Sequence, residues 1–264
     1  MVPLRIGIAG WAIPKSHRDA APGADVPELD PPGDSRRAGD SHLERYARRF
    51  NAVEINSCFY RSHRRSTYER WAASVPADFR FAAKLPKTIT HVLRLHECAA
   101  ELDRFLSEVA GLGAKLAVLL VQLPPSLAFE SRPACDFFTR IRAEVDTHIV
   151  CEPRHASWFD PLVGRKMANL GIGRVAADPA PVAHAREPAG DESLVYFRLH
   201  GAPKMYYSRY DSEYLSALHR RVLDHLMLGR SAWCIFDNTA ESAAWNNALE
   251  LQEIDRARVK SQDR

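Results

Sequence analysis

The chain has 264 residues, a formal net charge of +3 at neutral pH and 46% hydrophobic residues. This composition is typical of a globular protein with a sizeable core, and it excludes disordered and membrane-embedded classes. The 33 acidic residues nearly balance the 36 basic ones, so the charge permits an anionic ligand without requiring one. Five scattered cysteines form no C-x-x-C pair, which favours reduced thiols. With no secretory signal pattern and no long apolar run, we expect a cytoplasmic protein.

Short apolar runs alternate with amphipathic helical patterns along the chain. The strands are predicted at 4–9, 52–56, 79–84, 115–122, 147–152, 172–177, 193–200 and 231–237. The helices are predicted at 41–50, 64–73, 97–111, 132–144, 159–169, 212–228 and 241–258. Only the sixth strand lacks a clear helix after it, because 179–191 is rich in Pro, Ala and Gly. This alternation predicts parallel strands joined by right-handed crossovers. The expected α/β fold is a single (β/α)₈ TIM-type barrel over 1–264, irregular around the sixth unit.

Two segments fall outside the alternation. Residues 19–40 are rich in Pro, Gly and Asp and predict a mobile loop after the first strand. That loop would lie on the face where a barrel carries its site, as a lid or as a tolerated surface insertion. Residues 259–264 are predicted to be a polar tail. The sequence shows no internal repeat and no second domain.

Polar side chains stand at the ends of the predicted strands. In VEIN, Glu54 and Asn56 alternate with the apolar Val53 and Ile55, and since helices cover the outside of a barrel, the polar pair should face inward. The other strands end in Lys84, Gln122, Glu152 with Arg154, Asp178, Arg198 with His200, and Asp237 with Asn238. Barrel enzymes build their sites at this end. Buried charges must pair or bind a ligand, so the set predicts a functional site or a structural network of pairs such as Glu54–Lys84 and Glu152–Arg198.

Several weaker signals accompany this set. His91 and His155 fit acid/base groups or ligands, although a histidine in such a position is more often a packed or capping residue. Two stretches, 59–71 and 200–210, mix basic and aromatic residues and could contact nucleic-acid phosphates. The second stretch contains Tyr207 and follows the seventh strand, where barrels frequently bind phosphate. No nucleotide-binding glycine motif and no metal-ligand spacing appear, so we expect no cofactor and no metal.

The ordered motifs VEINSCFYR, KLPKTITH, LLVQLPPS, CEPRHASW, YFRLHG and CIFDNTA resemble the YecE-like family, the domain-of-unknown-function 72 group. The resemblance covers about 6–251 and implies a TIM-barrel-type fold, while the family carries no established activity. Motif by motif, it implies polar family positions at Glu54, Asn56, Lys84, His91, Gln122, Glu152, Arg154, His155, Arg198, His200, Asp237 and Asn238. The chain departs from the family pattern at Ser242, where Gly is frequent, and at 19–40, where the connection is commonly shorter.

Our leading hypothesis is an enzyme that performs metal-independent acid/base chemistry on an anionic small molecule bearing phosphate or carboxylate. An isomerase, a lyase or a hydrolase would fit. The expected catalytic residues are Glu54, Glu152, His200 and Asp237, with Glu54 or Glu152 as base and His200 as acid. Lys84, Arg154 and Arg198 would hold the anion. The remaining substrate-binding candidates are Asn56, His91, Gln122, His155, Tyr207 and Asn238.

Two alternatives use the same rim. One is a metal-dependent phosphodiesterase or nuclease-like barrel, with a metal bound by residues from separate strands. The other is a non-catalytic binder of nucleic acid or of a protein partner, acting through the two basic–aromatic stretches. The sequence does not indicate the oligomeric state.

Overall fold

The structure is a computed structural model that describes residues 4–14 and 40–262, with side chains described up to residue 259. The described strands are β1 (Leu4–Ile8), β2 (Ala52–Ile55), β3 (Arg80–Lys84), β4 (Leu116–Gln122), β5 (His148–Glu152), β6 (Ile172–Arg174), β7 (Ala176–Asp178), β8 (Ala189–Gly190), β9 (Leu194–Leu199) and β10 (Ser231–Phe236). The described α-helices are α1 (His42–Ala47), α2 (Ser57–Tyr60), α3 (Arg65–Ala73), α4 (Ala99–Val109), α5 (Ser131–Glu144), α6 (Pro161–Asn169), α7 (Ser212–Met227) and α8 (Ala243–Gln262). Shorter elements are a π-helical turn (Thr88–Val92) and 3₁₀ helices at Ala110–Lys115, Ala156–Phe159 and Ala183–Arg186.

Two sheets form the wall of the barrel. One has the strand order β2-β3-β4-β5-β6-β8 and the other has the order β1-β10-β9-β7. All neighbouring strands pair in parallel except β6 with the two-residue β8. Helices connect the strands everywhere except around β6 to β9, and this arrangement confirms the predicted (β/α)₈ barrel, irregular around its sixth unit.

The first seam between the sheets lies between β1 and β2. Here Ala9 forms an isolated parallel bridge with Glu54, and the amide of Gly10 donates to the carbonyl of Glu54 over 2.8 Å. Below the bridge, the hydroxyl of Tyr46 accepts from the amide of Ile8 and donates to the carbonyl of Ala52, each over 2.9 Å. A side chain therefore takes the place of ladder hydrogen bonds and ties the two sheets together.

The second seam lies in the irregular sixth unit. The predicted strand 172–177 is two strands in the structure, because β6 pairs with β5 whereas β7 pairs with β9. The break falls at Val175, whose amide still donates to Cys151 on β5 over 2.9 Å. The following segment, in which the sequence shows no clear helix, contains the 3₁₀ helix Ala183–Arg186 and β8. A β-carbon at Gly190 would stand 2.3 Å from the carbonyl oxygen of Ile172, so the close pairing of β8 with β6 requires glycine there.

Apolar side chains fill the interior of the barrel below the rim. This interior cluster consists of Ala52, Ala82, Val118, Leu120, Val150, Val175, Leu194, Tyr196, Trp233 and Ile235. Residues two positions further along a strand share the same face. Glu54, Lys84, Gln122, Glu152, Arg198 and Asp237 therefore point inward above this cluster, as the alternation predicted. The apolar layer fills the amino-terminal part of the interior and leaves the polar residues at the carboxyl-terminal end.

Local capping explains where several helices begin. Ser41 and Glu44 form a reciprocal capping box at α1, and Asp160 caps α6, which starts with a proline. The last helix continues to Gln262, into the segment predicted as a polar tail. Apart from Asp40, the loop predicted at 19–40 lies outside the described residues. No helix in the described part of the chain is long and apolar enough to cross a membrane.

Candidate functional site

A buried guanidinium holds three carboxylates together at the carboxyl end of the barrel. Nε and Nη2 of Arg198 donate to Glu54 over 3.0 and 2.8 Å, and Nη1 donates to Glu152 Oε2 over 2.9 Å. Nη2 also lies 2.9 Å from Asp237 Oδ2. Burial alone would lower the pKa of Arg198, but Asp237, Glu54 and Glu152 raise it well above its usual value. The arginine is therefore a fixed cation inside the barrel.

His200 links two of these carboxylates. Its Nδ1 lies 3.0 Å from Asp237 Oδ2 and its Nε2 lies 2.9 Å from Glu152 Oε1. Burial opposes the charged ring, but Glu152 and the hydrogen bond to Asp237 raise the pKa of His200. Because both nitrogens face carboxylates, the geometry favours the doubly protonated imidazolium.

The carboxylates in turn are surrounded by cations. Burial would raise the pKa of Glu152, but Arg198, His200 and Arg154 hold it well below its usual value. The pKa of Asp237 is also lowered, against burial, by Arg198 and His200.

Of the two predicted ion pairs, Glu152–Arg198 is present with a distance of 2.9 Å. The other is not, since Glu54 pairs with Arg198 rather than with Lys84.

This geometry does not fit three of the roles expected from the sequence. Glu54 is 0% exposed, and its oxygens accept from Arg198 and from the hydroxyl of Tyr196, the latter over 2.8 Å. Glu152 is 1% exposed and accepts from three cationic side chains. A general base must lie within hydrogen-bonding distance of the proton that it removes. The oxygens of these two carboxylates instead accept hydrogen bonds from side chains of the network. Arg198 is also 0% exposed, so its guanidinium is not accessible to an anion that enters from solvent.

The same network bears on metal binding. Within residues 4–14 and 40–259, no group of three His, Cys, Asp or Glu side chains is arranged to hold a metal ion. Glu54, Glu152, Asp237 and His200 have suitable donor atoms, but the guanidinium of Arg198 already occupies the space between the three carboxylates. A divalent cation would have to displace that guanidinium, so the donor arrangement does not fit a metal centre.

Lys84 lies beside this network but forms no ion pair with a carboxylate of the described residues. Its ammonium nitrogen is 4.0 Å from the centroid of the Phe59 ring, and the residue is 7% exposed. Among the described residues, no acceptor lies within hydrogen-bonding distance of that nitrogen. Burial and the charge of Arg198 lower the pKa of Lys84 to about 8. Close to neutral pH, this lysine can therefore exchange a proton.

His91 lies against the same aromatic ring. Its ring centroid is 5.0 Å from that of Phe59, and its Nδ1 is 2.8 Å from the hydroxyl of Thr90. Burial, together with the charges of Lys84 and Arg154, lowers the pKa of His91. The neutral imidazole is therefore the dominant form at neutral pH.

Arg154 is the most exposed cation of the network. Its side chain is 16% exposed, and its Nη2 lies 3.0 Å from Glu152 Oε1 and 3.3 Å from His200 Nε2. Burial would lower the pKa of Arg154, but Glu152 and Tyr206 raise it. The ring of Tyr206 also stands edge-on to that of His200, with centroids 5.8 Å apart.

Tyr206 contacts this network, although no pattern in the sequence indicated it. The candidate chosen from the sequence was its neighbour Tyr207, which is 41% exposed and carries Lys204 Nζ 3.9 Å from its ring centroid. The amide of Tyr206 donates to the carbonyl of His200, and its φ is 69°. This left-handed turn directs Tyr206 toward the network, and no spacing rule in the sequence indicates it.

The remaining candidates divide into two groups. Asn56 reaches the network, with its Nδ2 3.4 Å from Asp237 Oδ1, and Gln122 ends β4 beside Glu152 in register. Two other residues serve local structure. His155 caps a 3₁₀ helix by accepting from the Ser157 amide over 3.2 Å. Asn238 donates to the carbonyl of Ser208 over 2.9 Å and to the side chain of Asn247 over 3.0 Å, which holds two loops together.

Comparison with known proteins places this chain in a family. The model of the family described as "Protein of unknown function DUF72" matches residues 5–263. The UPF0759 protein YecE of Escherichia coli K12 is 32% identical over 158 residues, which cover 58% of this chain and 57% of that protein. This match therefore spans little more than half the length of YecE. The UPF0759 protein YunF of Bacillus subtilis is 22% identical over 282 residues, covering 95% of this chain and 94% of that protein.

Solved structures agree on the fold. A DUF72 family protein from Enterococcus faecalis superposes with a TM-score of 0.74 at 22% identity, covering 97% of this chain and 98% of its own. A DUF72 family protein from Thermotoga maritima gives 0.73 at 20% identity, covering 96% and 99%. Since the family model matches nearly the whole sequence, this chain belongs to the DUF72 family.

Proposed function

We propose that the protein is an enzyme that performs metal-independent acid/base chemistry on a substrate bearing phosphate or carboxylate, at the carboxyl-terminal rim of its barrel. The supporting observation is the surplus of positive charge there. Arg198 and His200 lie within hydrogen-bonding distance of the three inward carboxylates. With Arg154 and the protonated form of Lys84 there are four cations against these three carboxylates, and a bound anion would balance the surplus of one positive charge.

Arg154 is suited to binding the anion. Its guanidinium is partly exposed, and Glu152 fixes it through Nε and Nη2. A fixed guanidinium orients a carboxylate or phosphate better than a flexible ammonium does. Asn56 follows β2 and Gln122 ends β4, on either side of β3, and both would orient the rest of the substrate.

Proton transfer falls to Lys84 and His91 in this proposal. Both contact the ring of Phe59, so a substrate bound above that ring would meet both side chains. The lowered pKa of His91 leaves a neutral imidazole that can accept a proton. The ammonium of Lys84, with a pKa of about 8, can donate one. Groups that titrate near the working pH are the most effective acids and bases. Glu54, Glu152, His200 and Asp237 then support the site by fixing its charge.

The proposal is tested by measuring the melting temperature in phosphate, sulfate and citrate. We expect each binding anion to raise the Tm of the wild-type protein, since a ligand at 100 times its Kd stabilises by about 2.7 kcal/mol. In Arg154→Met this rise should be lost. Arg165→Met is the matched control, because Arg165 is exposed on α6, and it should respond as the wild type does. Absence of any rise in the wild type, or an equal rise in Arg154→Met, contradicts the proposal. A binding anion then directs the choice of metabolites for turnover assays.

A further inference from the structure

We propose that Lys84 is a nucleophile whose side-chain amine condenses with the carbonyl group of an anionic aldehyde or ketone to form an imine. This inference rests on the proposed function and names its substrate class, an oxo acid or a sugar phosphate. Lys84 would then be a catalytic residue that bonds covalently to the substrate.

The first support is the missing counter-ion. A buried lysine that serves structure pairs with a carboxylate, because an unpaired buried charge is costly. Three carboxylates lie at the same end of the barrel, yet Arg198 bonds to all of them. The ammonium of Lys84 stands 4.0 Å from the centroid of the Phe59 ring and forms no ion pair with a carboxylate of the described residues. The network thus leaves this one lysine unpaired.

The second support is the local environment. Lys84 is 7% exposed and is the last residue of β3, so the strand fixes the position of its backbone. Burial and the nearby charge of Arg198 favour the neutral amine and outweigh the opposing charges of Glu54, Glu152 and Asp237, so the pKa is lowered to about 8. A lysine that only held an anion would gain nothing from this environment, since it acts through its charge. A lysine that attacks a carbonyl gains directly, because only the neutral amine has a free electron pair.

The third support is the set of neighbours that imine formation requires. Arg154 offers a partly exposed guanidinium for the substrate's carboxylate or phosphate. His91, on the same aromatic ring, has a lowered pKa and accepts protons in its neutral form. An anion-binding cation, a proton carrier and an amine therefore converge at one end of the barrel.

The reaction balances without any further reactant. The ammonium of Lys84 first releases one proton to solvent. The electron pair of the neutral amine then attacks the carbonyl carbon, a C–N bond forms, and the carbonyl π electrons move to oxygen, which takes up one proton from solvent in place of the one released. His91 accepts the proton that the attacking nitrogen releases, and the product is a carbinolamine. His91 then returns a proton to the hydroxyl group, the C–O bond breaks, and one water leaves. The resulting protonated imine attracts electrons from the adjacent carbon, as an isomerase or a lyase requires.

The test is reductive trapping of the wild-type protein at pH 7. Glyoxylate and glyceraldehyde 3-phosphate are the probes, sodium cyanoborohydride reduces any imine, and peptide mass spectrometry locates the adduct. Exposed Lys166 is the internal reference. The fraction of neutral amine at pH 7 is much larger for a pKa of about 8 than for an ordinary lysine. We therefore expect Lys84 to be trapped at least ~10-fold faster than Lys166, and sulfate to slow trapping at Lys84 alone.

The outcomes separate this inference from the proposed function. If sulfate stabilises the protein but Lys84 is trapped no faster than Lys166, imine formation is overturned and anion binding stands. If Lys84 is trapped rapidly but sulfate does not slow it, the amine lies apart from the anion site and the inference fails. If sulfate, phosphate and citrate leave the Tm unchanged, the proposed function itself fails. Lys84→Arg keeps the charge without the nucleophilic amine, and it should retain anion stabilisation while losing the adduct.

Discussion

Arg198 and Glu54 form a two-pronged ion pair across the barrel interior, although they are 144 positions apart in the sequence. Nε and Nη2 of the guanidinium approach the two carboxylate oxygens over 3.0 and 2.8 Å, and both side chains are 0% exposed. The pair joins β2 in one sheet to β9 in the other. The same guanidinium also binds Glu152 and Asp237. One side chain thus organises the charge of the whole rim.

Replacing Arg198 with methionine should destabilise the protein strongly. Three buried carboxylates would lose their shared cation, and removing one partner of a buried ion pair typically costs about 3–5 kcal/mol. Denaturant unfolding at pH 7 measures the effect. Arg165→Met is the control, because Arg165 is exposed, and it should change stability by less than about 0.5 kcal/mol. An Arg198→Met variant as stable as this control would show that the network does not support the fold.

The carboxylates of the network should make stability fall in acid. The folded pKa of Glu152 is lowered well below its usual value, so its contribution is present above the unfolded pKa of about 4.3 and is lost as pH falls through the folded pKa. Glu152→Gln should therefore be less stable at pH 7, by about 3 kcal/mol, and should lose less of its remaining stability on acidification. The exposed Glu69→Gln is the control. Parallel pH profiles for Glu152→Gln and the wild type would contradict the lowered pKa.

Lys84 should also make stability rise with pH, but in the alkaline range. Its pKa is lowered from 10.5 to about 8 on folding, so between these values the unfolded chain binds more protons than the folded protein. Stability then rises with pH across that window. Lys84→Met should remove this rise and should stabilise the protein at pH 7, by up to roughly 3 kcal/mol if the full shift is relieved. Unfolding at pH 7 and at pH 10 measures both effects. An unchanged difference between the two pH values would indicate an ordinary lysine.

Gly7 should be intolerant of a side chain because it lies at the seam between β1 and β2. A β-carbon there would stand 2.2 Å from the carbonyl oxygen of Ala52 and 3.2 Å from the hydroxyl of Tyr46. Gly7→Ala should therefore destabilise by about 3 kcal/mol, since the crowded strands must move apart. Gly164→Ala is a contrasting control, because Gly164 lies within α6 with open space around its β-carbon position. Alanine there should stabilise by about 0.5–1 kcal/mol. Similar effects of the two substitutions in denaturant unfolding would contradict this account of the seam.

Strand alternation predicted much of the architecture and the inward set. Polar side chains on one face of an otherwise apolar strand identified Glu54, Lys84 and Arg198 as inward-facing. The outer face of a barrel strand packs against helices and is apolar, so the polar face must point into the interior. Pairing preferences were harder to predict. Whether Glu54 pairs with Lys84 or with Arg198 depends on distances across the closed barrel, which neither strand encodes alone.

Loop conformation accounts for the other differences. Tyr206 reaches the network through a left-handed turn with φ of 69°, whereas alternation rules apply only inside strands. Asn238 stands one residue beyond Asp237, so its side chain serves the loops around Ser208 instead of the interior. At Val175 the two halves of one predicted strand part to pair with different neighbours, and strand alternation does not indicate which neighbour a strand pairs with.

The division of the network between the two sheets links folding to assembly of the candidate site. Glu54, Lys84 and Glu152 belong to one sheet, and Arg198 and the residues that follow β9 and β10 belong to the other. A half-folded chain with either sheet alone would therefore have no complete site, however well that sheet had formed. If the proposed anion binds at the rim, its binding would report that both seams have closed, and a mutation far from the rim that opened one seam would look like a defect in binding.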